Sequence, residues 1–218
     1  MRRSPYLLIP ALLALVLAAS QPRAEGRAGT PSGVFDYYVM ALSWSPGYCA
    51  TADNPDQCAP GRRLGWILHG LWPQYETGYP RDCAGAGAPP SRRQTAAMAD
   101  IMGTAGLAWH EWQAHGTCSG LSAVDYFALS RRAFQSVTRP EVLRALDEDV
   151  RLPARVIEAA FLEANPGLGA EGVTVTCRDN RIREVRICLT KDLAPRPCGA
   201  DVARDCSAAS ALFDAIGD

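Results

Sequence analysis

The sequence has little lysine and no strong excess of charge of either sign. Its 218 residues include one lysine, Lys191, and 22 basic residues stand against 23 acidic ones, for a formal net charge of -1. Proteins that bind nucleic acid without specificity are usually basic, because neutralising phosphates dominates their affinity. The composition therefore excludes a broad basic surface, and any nucleic acid must be held by a local site.

The cysteines include no C-x-x-C pair, the spacing that is typical of thiolate metal sites. Their number, eight, is even, and this favours disulfides formed in an oxidising compartment over a metal site. Connectivity stays open at this point, because eight cysteines allow roughly a hundred pairings. The cysteines are Cys49, Cys58, Cys83, Cys118, Cys177, Cys188, Cys198 and Cys206.

Long apolar runs are absent outside the N-terminus. Arg2 and Arg3 precede an apolar run at Tyr6–Ala19, and small residues follow, which is the order typical of a secretory signal peptide. The run is too short for a membrane span of about 20 residues. We expect residues 1–24 to be a signal peptide cleaved near 20–24. Residues 25–218 are then one exported domain, periplasmic or extracellular, with no membrane segment.

Two apolar runs in the first half of that domain predict strands. Val34–Trp44 is rich in aromatic and β-branched residues, which is typical of a strand buried on both faces. Leu64–Leu68 predicts a second short core strand with His69 at its end. Residues 78–91 are rich in Gly, Pro and Ser, and they predict a loop.

The second half of the domain predicts helices and then a hairpin. Ser122, with Asp125 three residues on, predicts a helix start. Further helices are predicted at Glu141–Leu146 and from Pro153 to Ala164, a hairpin around Asp179-Asn180, and a loop over the last 28 residues. Without regular alternation of strands and helices, we expect an α+β fold with a central antiparallel sheet flanked by helices.

The three histidines fall into two short segments, W-I-L-H-G-L-W-P (66–73) and H-E-W-Q-A-H-G-T-C (110–118). The zinc-protease motif is H-E-x-x-H, but here His110 and His115 are five residues apart, which on a helix separates them by more than about 100°. A zinc hydrolase with His69 as third ligand is therefore a weak alternative. A purely structural role suits Trp66 and Trp112, but it explains poorly why every histidine lies in these two segments.

Two imidazoles with different protonation states suit acid–base cleavage of a phosphodiester beside a 2′-hydroxyl. One ring removes the hydroxyl proton and the other protonates the leaving 5′-oxygen, and an ordinary pKa near 6.5 allows both states at once. The nucleophile belongs to the substrate, so this chemistry needs no metal or cofactor.

The two histidine segments resemble the two active-site signatures of the ribonuclease T2 family. The resemblance extends to F-D-Y-Y-V-M-A-L-S-W-S-P-G-Y-C (35–49), which is similar to the family's first strand and its cysteine. It implies a ribonuclease T2-like, disulfide-linked domain that cleaves single-stranded RNA through 2′,3′-cyclic phosphates, and we expect a monomer.

The resemblance also implies roles for individual residues. His69 corresponds to the general acid and His115 to the general base, while His110 corresponds to a residue that binds and orients phosphate and Glu111 to an acidic residue that helps to position or stabilise the transition state. Trp72 and either Tyr75 or Tyr79 are candidates for stacking a base, a contact that contributes about 1–3 kcal/mol. The implied disulfides are Cys83–Cys118, Cys177–Cys206, Cys188–Cys198 and Cys49–Cys58.

Ala114 departs from the family pattern, which has a charge-stabilising lysine at this position. Loss of one preorganised donor lowers turnover by about 10²–10³. Either an arginine such as Arg62, Arg63, Arg81 or Arg92 replaces the missing charge, or the enzyme is slow. An alternative hypothesis is therefore a ribonuclease-like protein that binds RNA or a partner with weak or no catalysis.

Overall fold

The computed structural model describes residues 26–52 and 54–217, so the predicted signal peptide at 1–24 lies outside the described residues. The strands are β1 (Gly26–Ala28), β2 (Tyr37–Trp44), β3 (Trp66–Gln74), β4 (Tyr79–Arg81), β5 (Val150–Leu152), β6 (Val173–Arg178), β7 (Arg181–Leu189) and β8 (Ala211–Phe213). The α-helices are α1 (Ser45–Cys49), α2 (Pro55–Cys58), α3 (Arg92–Ala96), α4 (Ala99–Met102), α5 (Ala105–Ala114), α6 (Ala123–Ser136), α7 (Glu141–Arg144) and α8 (Ala154–Ala164). Short 3₁₀ turns lie at Gly116–Cys118 and Ala170–Gly172.

Six of these strands form the central sheet, in the order β3-β2-β7-β8-β5, with β6 also paired to β7. The pairings are antiparallel except for one parallel contact between Arg181 and Leu212. β2 is almost wholly buried, as its apolar sequence predicts, because β3 and β7 flank it and helices cover the sheet. The α+β fold with a central antiparallel sheet is therefore confirmed.

The local signals in the second half of the chain match the structure closely. The Ser122 side chain accepts a hydrogen bond from the backbone N–H of Asp125 and caps α6. α8 begins directly after Pro153. Asp179 and Asn180 both have positive φ, which a two-residue hairpin turn requires, and they join β6 to β7.

Three predictions about strands were wrong. β3 does not end before His69 but continues to Gln74, because β2 pairs with all of its residues except His69. The predicted loop at 78–91 contains β4, which pairs with β1. The loop predicted over the last 28 residues contains β8, whose three residues add to β5 and β7. Whether strands as short as these form depends more on the strands they pair with than on their own residues.

Four disulfides link the fold, and they are the four pairs that the resemblance implies: Cys49–Cys58, Cys83–Cys118, Cys177–Cys206 and Cys188–Cys198. The tryptophans Trp66 and Trp112 are buried in the core, as expected. Among the described residues, the structure has no helix whose length and apolar character would let it span a membrane.

Candidate active site

His69 lies at an irregularity in the pairing of β3 with β2. Ala41 pairs with Gly70 and Leu42 pairs with Leu68, so His69 faces no partner residue in β2. In a regular strand, residues three apart point to opposite faces, and an extra residue of this kind changes that relation. Leu68 and Leu71 consequently both enter the core, while the intervening His69 remains partly exposed at the site.

A carboxylate on the neighbouring part of the sheet holds the His69 ring. His69 Nδ1 lies 2.6 Å from Glu184 Oε1, and the Arg186 guanidinium donates two hydrogen bonds, of 2.9 and 3.0 Å, to Glu184 Oε2. Burial lowers the pKa of His69, but the hydrogen bond and charge of Glu184 outweigh it, so the pKa lies above its ordinary value of 6.5. Burial raises the pKa of Glu184, but His69 and Arg186 outweigh it and lower the pKa to about 2. The arrangement favours a protonated imidazole with its Nε2–H directed away from Glu184.

Glu111, on α5, is the second carboxylate near His69. Its Oε2 accepts a 2.6 Å hydrogen bond from Trp72 Nε1, and its Oε1 lies 3.5 Å from His69 Nε2. The side chain is 1% exposed, and this burial raises its pKa to about 7. Gly70 is glycine for a spatial reason, because a Cβ there would overlap both Glu111 Oε2 and Trp72 Nε1. The H-G-L-W segment therefore makes room for the bond between Trp72 and Glu111.

His115 lies beyond the last residue of α5, with backbone angles outside the helical region. The next residue, Gly116, begins a 3₁₀ turn and packs against Trp112 and Tyr126, where a Cβ would lie 2.5 Å from the Trp112 ring. His115 Nδ1 is buried and has no hydrogen-bond partner among the described residues, so Nε2 is the ring nitrogen available to substrate. Burial, followed by the charge of Arg81, lowers the pKa of His115 to about 3. This imidazole is neutral over most of the pH range.

Two cavities open beside these histidines. The first, of about 330 Å³, is lined by His115, Trp72, Tyr79, Arg81, Gln74 and Arg186 among others. The second, of about 440 Å³, is lined by His69, His110, Glu184, Tyr48, Leu107 and Arg183 among others. Trp72 stands between the two histidines, with its ring centroid 5.2 Å from that of His69 and 5.3 Å from that of His115. The two histidines, Trp72 and the two cavities beside them are together called the cleft.

The structure separates the candidates for base stacking. Trp72 and Tyr79 both line the first cavity, and the Tyr79 ring lies 6.4 Å from that of His115. Tyr75 lines neither cavity and packs against the main hydrophobic core. Tyr75 follows Gln74 in the sequence and points to the opposite side of the chain. The buried side-chain amide of Gln74, and not the Tyr75 ring, therefore faces the first cavity.

Sequence reasoning missed Glu184 and Arg186. The apolar alternation of β7 places both on the face opposite Val185 and Ile187, and a glutamate and an arginine inside a buried strand are a detectable signal. Their link to His69 depends on strand order, which the sequence does not give. In the part of the chain that the structure describes, no group of three or more His, Cys, Asp or Glu side chains is arranged to hold a metal ion.

The fold and the cleft together define a disulfide-linked α+β protein with two imidazoles suited to acid–base chemistry. The family model for the ribonuclease T2 family matches residues 35–198, so the chain belongs to this family of RNA-cleaving endoribonucleases. A ribonuclease from Aeromonas hydrophila is 39% identical over 204 residues, which cover 84% of this chain and 85% of that protein. Ribonuclease I of Escherichia coli is 26% identical over 242 residues, which cover 88% and 89% of the two chains.

Solved structures agree on the fold. An RNase-related protein from Calystegia sepium superposes with a TM-score of 0.69 at 20% identity, covering 84% of this chain and 98% of that one. Ribonuclease MC1 from bitter gourd seeds superposes with a TM-score of 0.62 at 20% identity, covering 83% and 100%. The predicted family and the disulfide-linked architecture are both confirmed.

Proposed function

We propose that this ribonuclease cleaves single-stranded RNA by metal-independent transesterification, with His115 as general base and His69 as general acid. The observation that carries the proposal is the pair of imidazoles on either flank of Trp72 whose pKa values are shifted in opposite directions, down for His115 and up for His69. A base must be neutral and an acid protonated at the same pH, and these environments favour that combination.

The reaction follows from the two ring nitrogens. His115 Nε2 takes the proton of the 2′-hydroxyl, O2′ forms a bond to phosphorus, and the bond from phosphorus to O5′ breaks. His69 Nε2 gives its proton to the departing O5′, leaving a 2′,3′-cyclic phosphate. The roles reverse when water opens the cyclic product. Glu184 is a positioning residue in this scheme, because it contacts the far nitrogen of His69 and fixes the ring and its charge.

The two cavities accommodate the two nucleotides on either side of the cleaved bond. The nucleotide that supplies the 2′-hydroxyl must lie next to the base, in the cavity with His115, where Trp72 and Tyr79 offer rings for stacking. The leaving nucleotide must lie next to the acid, in the cavity with His69 and His110. His110 is exposed and suited to contact phosphate. Glu111 accepts the hydrogen bond from Trp72 Nε1 and so restrains the position of that ring.

A mixed DNA and RNA substrate tests the chemistry. In EDTA, a DNA oligonucleotide with one internal ribonucleotide should be cut only on the 3′ side of that ribonucleotide, leaving a cyclic phosphate end. Cleavage at deoxynucleotides, or loss of all cleavage in EDTA, would contradict the mechanism and favour a metal-dependent hydrolase.

A modified leaving group tests the assignment of acid and base. A sulfur in place of O5′ is a better leaving group and needs no proton from the enzyme. His69→Ala should therefore lose most activity on the oxygen substrate and recover it on the sulfur substrate, whereas His115→Ala should be inactive on both. Recovery by His115→Ala alone would reverse the assignment.

A second candidate function is binding of RNA with little turnover, and the apolar Ala114 favours it. Wild-type turnover distinguishes the two: multiple turnovers on single-stranded RNA support catalysis, and binding without product supports the alternative. We also propose that the protein acts outside the cytoplasm, which the four disulfides support, and that it is a monomer. Size-exclusion chromatography and cell fractionation check these two points.

A further inference from the structure

The reaction proposed above builds negative charge on the phosphate, and the cleft must supply a cation to balance it. Residue 114 directly precedes His115 and is a buried alanine with neither charge nor donor. The inference below rests on the proposed function, because it concerns the same phosphate. The question is which side chain brings positive charge to the part of the cleft beside Ala114.

Arg81 is held next to this position by the backbone. The N–H of Asp82 donates a 3.0 Å hydrogen bond to the carbonyl oxygen of Ala114, and a disulfide between Cys83, the residue after Asp82, and Cys118, on the 3₁₀ turn that follows α5, links the same two segments. Tyr79 and Arg81 are two residues apart on β4 and so share a face. Tyr79 lies beside His115, and both Tyr79 and Arg81 line the cavity that contains His115.

We propose that Arg81 is a catalytic residue whose guanidinium binds the non-bridging oxygens of the scissile phosphate and stabilises the charge that develops there. The cation that is missing at Ala114 is thereby supplied from β4, the strand whose end is hydrogen-bonded to the end of α5. Arginine suits this task, because its planar group presents several N–H donors to phosphate oxygens.

The other arginines near the cleft are committed to protein groups. Arg186 donates two hydrogen bonds to Glu184 and lies over the Trp72 ring. Arg183, which lines the second cavity, donates to the backbone carbonyl of Gly47 and to Thr51 Oγ1. Arg62, which lines neither cavity, donates to the backbone carbonyls of Asp56 and Gly103. Arg81 has an ion pair with Asp82 at 3.2 Å, but that carboxylate is 57% exposed and such surface pairs are weak. Arg81 can exchange this partner for a phosphate at little cost.

The electrostatic effect of Arg81 on two neighbouring groups agrees with this position. The charge of Arg81 is the largest electrostatic contribution to the lowered pKa of His115, after burial. It also lowers the pKa of Glu111 against the opposing effect of burial. A cation that acts on both groups is placed where it could contact a phosphate bound beside His115.

The experiment compares Arg81→Gln and Arg81→Lys with the wild type, using Arg178→Gln, an exposed arginine on β6, as the matched control. The assay measures kcat and KM on single-stranded RNA in EDTA, together with the melting temperature of each variant. We expect Arg81→Gln to lower kcat by about 10²–10³ with a smaller change in KM, because the contact is strongest in the transition state. Arg81→Lys should retain clearly more activity, and the control should match the wild type.

Relocation of the charge gives a second test. Ala114→Lys in the Arg81→Gln background should recover at least part of the lost kcat, about tenfold or more. A role of Arg81 in folding alone would show a lowered melting temperature and no recovery. Failure of a folded double variant to recover activity overturns the proposal, as does equal loss in Arg81→Lys and Arg81→Gln, or an Arg81→Gln enzyme as active as the wild type. An inactive wild type would instead overturn the proposed function.

Discussion

Replacement of Glu184 by glutamine tests how the sheet controls the proposed acid. The amide of the new side chain would retain an oxygen that can accept the Nδ1–H bond of His69, so the change removes charge while preserving shape. What remains around His69 is burial and the charge of Arg186, both of which lower its pKa, against Glu111, which raises it. We therefore expect the pKa of His69 to fall below 6.5 in the variant.

The size of the shift follows from the distance. Two unit charges about 4 Å apart at an effective dielectric constant of about 20 interact by about 4 kcal/mol, which corresponds to about 3 pKa units. The His69 side chain is 33% exposed, and solvent screening reduces this to about 1–2 units. At a pH above the pKa of His69 in both proteins, the protonated fraction of His69, and hence the rate, should be about 10–100-fold lower in the variant than in the wild type.

The assay is the pH dependence of kcat/KM for the wild type and Glu184→Gln, with direct NMR titration of the His69 ring. Glu141→Gln, which changes an exposed carboxylate paired with Arg144, is the matched control. We expect the alkaline limb of Glu184→Gln to move to lower pH while its activity in acid stays near that of the wild type. An alkaline limb that superposes on the wild-type limb would refute the coupling, whatever the change in overall rate.

Three further predictions concern the cleft and its support. The wild-type pH–rate profile should be bell-shaped, with an acidic limb set by His115, whose pKa is lowered to about 3, and an alkaline limb set by His69 above 6.5; a steady rise into alkali would contradict it. Trp72→Phe keeps a ring but removes the donor to the buried glutamate of α5, and should lower the free energy of unfolding in urea by about 1.5–3 kcal/mol, whereas the exposed Trp109→Phe should have no effect. Replacing both cysteines of Cys83–Cys118, which are 35 residues apart, by serine should lower the free energy of unfolding in urea by about 4 kcal/mol. The same change at Cys49–Cys58, which are 9 residues apart, should lower it by about 3 kcal/mol. Equal losses would argue against chain entropy as the cause.

Local patterns predicted the parts of the fold that local chemistry decides. The cap at Ser122, the helix after Pro153 and the turn at Asp179-Asn180 each depend on residues within a few positions of one another. β4 and β8 were missed because three-residue strands bury too little to show in composition. The end of β3 was misplaced at His69 because a partner strand, not the segment itself, extends it to Gln74.

In the candidate site, too, the residues that local sequence predicts differ from those that depend on distant pairing. His69, His110, Glu111 and His115 are recognisable because two compact segments carry them. Glu184 and Arg186 lie more than a hundred residues further along than His69, and only the pairing of β2 with both β3 and β7 brings them to it. Arg81 was one of four arginines that the sequence could not distinguish, and the hydrogen bond from Asp82 to Ala114 is what separates it from the others.

The unpaired position of His69 has a consequence for engineering this family. The alternation of core-facing residues along β3 changes at His69. Leu68 and Leu71 therefore both face the core, although they are three residues apart. Deleting one residue at this point would restore regular pairing with β2. The side chains on one side of the deletion would then point to the opposite face of the sheet, so that either the imidazole would leave the cleft or a leucine would leave the core. Transplanting the cleft to another sheet therefore requires the irregular pairing with β2 as well as the side chains.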